Sequence, residues 1–158
     1  MLFQKKNQVA RQAVDVAKTY LMKKILVLCT GNSCRSQIAE GYLKHFAKEK
    51  AEIYSAGIEV HGVNPKAIAI MKEDGIDLSD HTSNHVDEYK NINFDYIITV
   101  CDHAQENCPY FQSNAKRAHQ NFLDPAKVQG TETEIEQAFR VIREEIKSFV
   151  KKFVVEYL

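Results

Sequence analysis

The stretch Ile25-Leu26-Val27-Leu28-Cys29-Thr30-Gly31-Asn32-Ser33-Cys34-Arg35-Ser36 decides the reading of this chain. An apolar run of strand length stops at a cysteine and gives way to a short polar loop. A helix follows, with Ile38, Ala39, Tyr42, Leu43, Phe46 and Ala47 along one stripe. A loop that wraps its backbone N–H groups around one point at a helix N-terminus is a ready anion site. Thr30, Gly31, Asn32, Ser33, Cys34, Arg35 and Ser36 are therefore the candidate oxyanion-binding residues. Arg35 adds a planar fork of donors that matches a tetrahedral oxyanion. A thiol in that positive field ionises readily, which makes Cys29 the candidate nucleophile, aimed at a phosphate-like anion.

Bulk properties narrow the classes. The 158 residues predict one domain large enough to bury a core. With 44% hydrophobic and 27% charged residues, the composition is that of a folded chain. Twenty-one basic residues balance 21 acidic ones, and this lack of basic excess argues against a nucleic-acid or membrane-surface partner. No apolar run reaches the length of a membrane span, and no signal-peptide core follows Met1. A cytoplasmic location is expected. There the four cysteines stay reduced, which favours catalysis or metal binding over structural disulfides.

Residues 1–21 precede the first strand as an extension. Ala10, Ala13, Val14, Ala17, Tyr20 and Leu21 fall at helical spacing, so a short amphipathic helix is expected there, with no assigned chemistry. The domain proper is read as residues 22–158. From Lys24 onward strand and helix patterns alternate, the mark of a parallel α/β sheet. Strands are expected at 24–29, 52–55, 94–100 and near 117–122. Asn64-Pro65 reads as N-cap and first residue of a helix that Gly75 ends, and a short helix is expected from Asn84 to Tyr89. The last helix opens at Thr131, where Glu134 completes a capping box.

Ligands of open α/β sheets sit beyond the carboxyl ends of the strands. Cys29 and Cys101 both occupy such ends, and Asp124 follows another, so three chemically able residues converge on one rim. Taken alone, Asp124-Pro125 is an ordinary turn opener. Beside a nucleophile and an oxyanion, Asp124 becomes a candidate general acid. Asn32 suits left-handed backbone and could brace the loop with its side chain, while Ser36 could hydrogen-bond the thiolate or leaving group.

The segment from Cys29 to Gly41, with Ser55-Ala56-Gly57-Ile58 and Leu123-Asp124-Pro125-Ala126, resembles the low-molecular-weight tyrosine phosphatases. Cys101-Asp-His-Ala-Gln-Glu-Asn-Cys108-Pro109 narrows the resemblance to the thioredoxin-coupled arsenate reductases built on that fold. The resemblance covers about residues 22–153. It implies a flavodoxin-like three-layer α/β sandwich with a four-stranded parallel sheet.

It also implies a thiol relay. Cys29 attacks arsenate held by the loop and Arg35, and Asp124 protonates the leaving oxygen. Cys101 then resolves the adduct, and Cys108 moves the disulfide outward for thioredoxin. Phosphate and sulfate would compete for the anion site, and no cofactor is tightly bound. Some members hold potassium, for which Asn32, Glu40 and Ser55 match, although Asn84 stands where an aspartate is usual. Gln120 likewise stands where a tryptophan is expected, and Cys34 is accessory.

Three other readings remain open at this level. The pair Cys101 and Cys108 could be incidental in a phosphatase, although no tyrosine accompanies Asp124 as phosphatases commonly have. The chain could be a redox-sensing module without turnover. A zinc site is disfavoured by the lack of close Cys-x2–4-Cys spacing. His61, His81, His85, His103 and His119 show no adjacent carboxylate pattern and are expected to be solvated or packing residues.

Overall fold

The computed structural model describes residues 2–108 and 114–158. Pro109, which closes the second cysteine segment, lies outside the described residues. In chain order the elements are α1 (Leu2–Leu21), β1 (Lys23–Cys29), α2 (Arg35–Ala47), β2 (Ala51–Gly57) and α3 (Pro65–Glu73). Then come β3 (Tyr96–Thr99), α4 (Asp102–Asn107), β4 (Lys116–His119) and α5 (Glu132–Tyr157). The four strands are parallel in the order β2-β1-β3-β4. This is the expected α/β sheet.

β1 occupies a central place, and its composition explains why. Ile25, Leu26, Val27 and Leu28 are completely buried, as a strand covered on both faces requires. α2 packs against α5 and over β1 and β2, and α4 lies on β1 and β3. The α5 stripe of Phe139, Ile142, Ile146, Val150 and Phe153 is buried as its periodicity predicts.

Local signals hold at the helix ends. The Asn64 side chain accepts from the N–H of Lys66 at 2.8 Å, with Pro65 in the first turn. Thr131 Oγ1 accepts from the Glu134 N–H, and the Glu134 carboxylate accepts from the Thr131 N–H at 2.7 Å. That reciprocal pair contributes about 1 kcal/mol to the start of α5.

Several boundaries differ from the sequence expectation. β3 covers only Tyr96–Thr99, yet its flanks still pair, since Asp95 N–H donates to the Lys24 carbonyl and Val100 N–H to that of Leu28. β4 covers Lys116–His119, and Gln120 and Phe122 go on donating to the Thr99 and Val100 carbonyls beyond it. Residues Val86–Tyr89 form a 3₁₀ turn capped by His85, which leaves Asn84 outside the turn. α1 is longer than the short helix expected, and its described side chains from Gln4 to Lys18 are exposed, with Lys18 paired to Glu49. No described helix is long and apolar enough to cross a membrane.

Candidate active site

The loop between β1 and α2 is shaped by the segment that follows β2. The N–H groups of Glu59, His61 and Asn64 donate to the carbonyls of Thr30, Gly31 and Ser33 at 2.8, 3.0 and 3.0 Å. Since each peptide's N–H points away from its C=O, drawing the carbonyls outward turns loop N–H groups inward. Two glycines permit the close approach. A Cβ on Gly57 would meet the Thr30 carbonyl at 2.7 Å, and one on Gly31 would meet His61 Nδ1 at 2.5 Å.

Asn32 braces the loop from within, in left-handed backbone at φ 47°. Its Nδ2 donates to Ser36 Oγ and Ser55 Oγ, both at 2.9 Å, and its Oδ1 accepts from the Asn84 N–H at 2.8 Å. The expected bracing role is met. Ser36 is fully buried, and its Oγ accepts from Asn32 while its own proton stays available to donate.

A pocket of about 320 Å³ opens above this loop, bordered by Cys29, Arg35, His61, Asp124 and Lys127 among others. Arg35 opens α2 and is nearly buried. Its Nη1 donates to the Phe122 carbonyl at 2.9 Å and its Nη2 reaches Asp124 Oδ2 at 3.4 Å. Arg35 Nε finds no acceptor, and is the one buried side-chain polar atom among the described residues in that state. A buried donor without a partner is costly, so an oxyanion in this pocket would relieve it. Asp124 is fixed by the Ala126 N–H on its other oxygen, at 3.0 Å. Gln120, in the tryptophan's place, borders a separate groove of about 820 Å³ between β4 and α5 that holds none of the thiols.

The structure brings Cys29 and Cys101 together as free thiols at the ends of neighbouring strands, close enough to act on each other's ionisation. This contact works against the ready ionisation expected of Cys29 from its loop. The Cys29 thiol is raised well above its usual range by its hydrogen bond to Cys101 and by burial, which together outweigh Arg35. Cys101 moves the other way, down to about 5, chiefly because Cys29 donates to it, with Thr30 and the Ala104 N–H as further donors. The two thiols are thus coupled, and their interaction favours a proton on Cys29 and a thiolate at Cys101. Cys34 is pushed up to about 12 by burial and by Asp124, so it stays a neutral thiol.

Cys108 caps the far end of α4, with its Sγ near Arg117 Nη1 at 3.3 Å. The helix between the two cysteines is short, and only Ala104 of it is buried.

Several histidines meet carboxylates. His61 Nε2 lies 2.7 Å from Glu59, His119 Nε2 lies 2.8 Å from Asp102, and His81 Nδ1 lies 3.6 Å from Glu40. The His61–Glu59 pair was legible as an i, i+2 spacing; the other two are formed only by folding. His103 Nδ1 reaches Thr30 Oγ1 at 3.3 Å, at the edge of the thiol pair.

Asn32, Glu40 and Ser55 do cluster, but they do not fit a potassium ion. Glu40 Oε1 is already matched by the Lys44 ammonium at 2.6 Å, and its other oxygen accepts from Ser55. Asn84 turns its side chain to Thr82 and Glu88 instead.

A cysteine at a strand end, an arginine that opens a helix and an aspartate thus border one pocket at the rim of a parallel sheet, the layout of an α/β enzyme. Residues 24–157 match the model of the low molecular weight phosphotyrosine protein phosphatases, and the chain belongs to that family. Within it, the chain is 48% identical over 136 residues to an arsenate reductase of Shouchella clausii, covering 84% of this chain and 96% of the relative. An arsenate reductase of Bacillus subtilis is 47% identical over 131 residues, covering 83% of this chain and 94% of its own length. A solved arsenate reductase in the phosphate-binding state superposes with a TM-score of 0.70 at 30% identity, covering 87% of this chain and all of that one.

Proposed function

We propose that this protein reduces arsenate to arsenite by a three-thiol relay and that thioredoxin restores it. The observation that carries this reading is the place of Cys101, at the end of the strand beside Cys29, with its Sγ 3.3 Å from Oγ1 of Thr30 in the anion loop. A phosphatase needs one thiol, because water resolves its phosphocysteine; a reductase needs a second thiol within reach of the first. Identity near one half to proteins named arsenate reductase supports the same choice over phosphoester hydrolysis.

The steps balance as follows. The Cys101 thiolate takes the Cys29 proton while Cys29 sulfur attacks arsenic, and Asp124 protonates the oxygen that leaves as water. Cys101, deprotonated again, attacks Cys29 Sγ; the sulfur–arsenic electron pair goes to arsenic, which departs as arsenite. The Cys29–Cys101 disulfide is then attacked by Cys108, which frees Cys29 and leaves Cys101–Cys108. Seven residues of helical rise set Cys101 and Cys108 about 10 Å apart along the axis. A disulfide needs Cα atoms within about 4.4–6.8 Å, so α4 must unwind for this step. Its exposed Gln105, Glu106 and Asn107 make unwinding cheap and carry the disulfide outward to thioredoxin.

We assign this chemistry to residues 22–158, leave 1–21 without a catalytic part, and place the protein in the cytoplasm, where thiols stay reduced. The cycle needs no bound cofactor, and replacing potassium by sodium should leave turnover unchanged.

The test is NADPH oxidation with thioredoxin and thioredoxin reductase, with and without arsenate, for wild type and Cys108→Ser. Arsenate-dependent oxidation that the substitution abolishes is expected. No such oxidation in the wild type, beside phosphoester hydrolysis that Cys29→Ser blocks, would make the protein a phosphatase.

A further inference from the structure

In the relay above, Cys101 must lose a proton twice. It starts as the charged member of the pair, but accepts the Cys29 proton in the first step. Once Cys29 is bonded to arsenic it has no S–H to donate, so the largest support for a Cys101 thiolate is gone. Thr30, the Ala104 N–H at 3.4 Å and Arg35 remain. A route for the second proton is therefore needed at the moment of attack.

One lies beside the thiol. Thr30 Oγ1 is 3.3 Å from Cys101 Sγ and 3.3 Å from His103 Nδ1, so its hydroxyl bridges the two. A hydroxyl can accept one proton while giving up its own. We infer that His103 accepts the Cys101 proton through the Thr30 hydroxyl, so that Cys101 attacks the Cys29–arsenic adduct as a thiolate. The thiol proton passes to Thr30 oxygen and the Thr30 proton passes to His103 Nδ1. The product state is an imidazolium donating to a hydroxyl that donates to the thiolate, with all three hydrogen-bond positions filled. No external oxidant or base is required. His103 is a positioning residue in this scheme, since it acts on Cys101 only through Thr30.

The other charged groups nearby are accounted for. Asp102, next to His103 on α4, is engaged by His119 of β4 at 2.8 Å, and Arg117 of β4 faces Cys108. From the anion loop, Cys29 and Arg35 act on Cys101. None of these bridges Cys101 to His103 as Thr30 does.

The inference rests on the reductase reading, and the experiment separates the two. Full-length Cys108→Ser protein can release one arsenite per chain without thioredoxin, so rapid quenching reads the Cys101 step alone. Adding His103→Gln should slow release about tenfold near pH 7 and move the acid limb up by about one unit, with the rates converging at alkaline pH. Thr30→Val in the same background should shift the limb likewise, and Thr30→Ser should restore it. Phosphate affinity of the His103→Gln protein, by calorimetry, should match its parent.

An unshifted limb in His103→Gln, an equal loss at every pH, or weakened phosphate binding would each overturn the relay through His103. If the Cys108→Ser parent itself releases no arsenite at any pH, the reductase reading falls instead.

Discussion

Arg35 and Asp124, 89 residues apart in the chain, meet at 3.4 Å across the mouth of the anion pocket. The first residue of α2 is thereby tied to the turn after β4, so binding donor and proposed acid are set by one contact. Both side chains are largely withdrawn from water, which strengthens the pairing relative to a surface bridge.

Asp124→Asn keeps an oxygen for the Ala126 N–H but removes the proton that the leaving oxygen takes. Arsenate-dependent turnover should fall by about 10²–10³-fold. Phosphate affinity, measured by calorimetry, should hold or improve because a negative charge leaves the pocket. Activity within threefold of wild type would remove Asp124 from the chemistry.

The coupling of Cys29 and Cys101 predicts where a thiolate is found. Ultraviolet titration of the reduced protein should reveal one thiolate with a midpoint of about 5. Cys101→Ser should abolish that transition, whereas Cys34→Ser should leave it untouched, since Cys34 is neutral until about 12. A transition at 5 that survives Cys101→Ser would move the charge to another thiol.

Asn32→Ala strips three hydrogen bonds, two of them buried, and leaves a Cβ residue without their help at positive φ. Denaturant unfolding should show a loss of about 3 kcal/mol. The arsenate KM should rise at least about tenfold as the loop N–H groups lose their aim. Asn32→Gly tolerates the backbone, so it should recover about 1 kcal/mol of stability but not the KM. Full recovery of both would assign Asn32 a purely conformational role.

His81 gives stability a pH slope. Burial lowers its folded pKa, against a smaller opposing pull from Glu40. On acidification the unfolded chain therefore takes up this proton first, from about pH 6.5 downward. Stability should fall as pH drops below that value and level off once folded His81 is protonated too. The Cys101 thiolate adds a slope of the same sign, so the measured quantity is the difference between wild type and His81→Gln. Parallel stability curves for the two proteins would contradict the assignment.

Much of the site was legible before folding was considered. The apolar run ending at Cys29, the Asn-Pro and Thr-x-x-Glu helix starts, and the α5 stripe are local patterns whose physics acts over a few residues. Strand ends at Tyr96 and His119 were less legible, because they depend on where a neighbour's hydrogen bonding stops. The carboxylates beside His81 and His119 come from α2 and α4, and no spacing within the histidine segments points to them.

Sequence alone established that a cysteine, an oxyanion loop and an arginine share one strand–helix junction, because backbone periodicity and anion geometry are written in adjacent residues. The tertiary structure decided which second thiol stands beside Cys29, and which hydroxyl and imidazole stand beside that thiol. A proton's position is settled by burial and by donors that arrive from other strands, and Cys101 is 71 residues beyond Thr30 when it finds its partner.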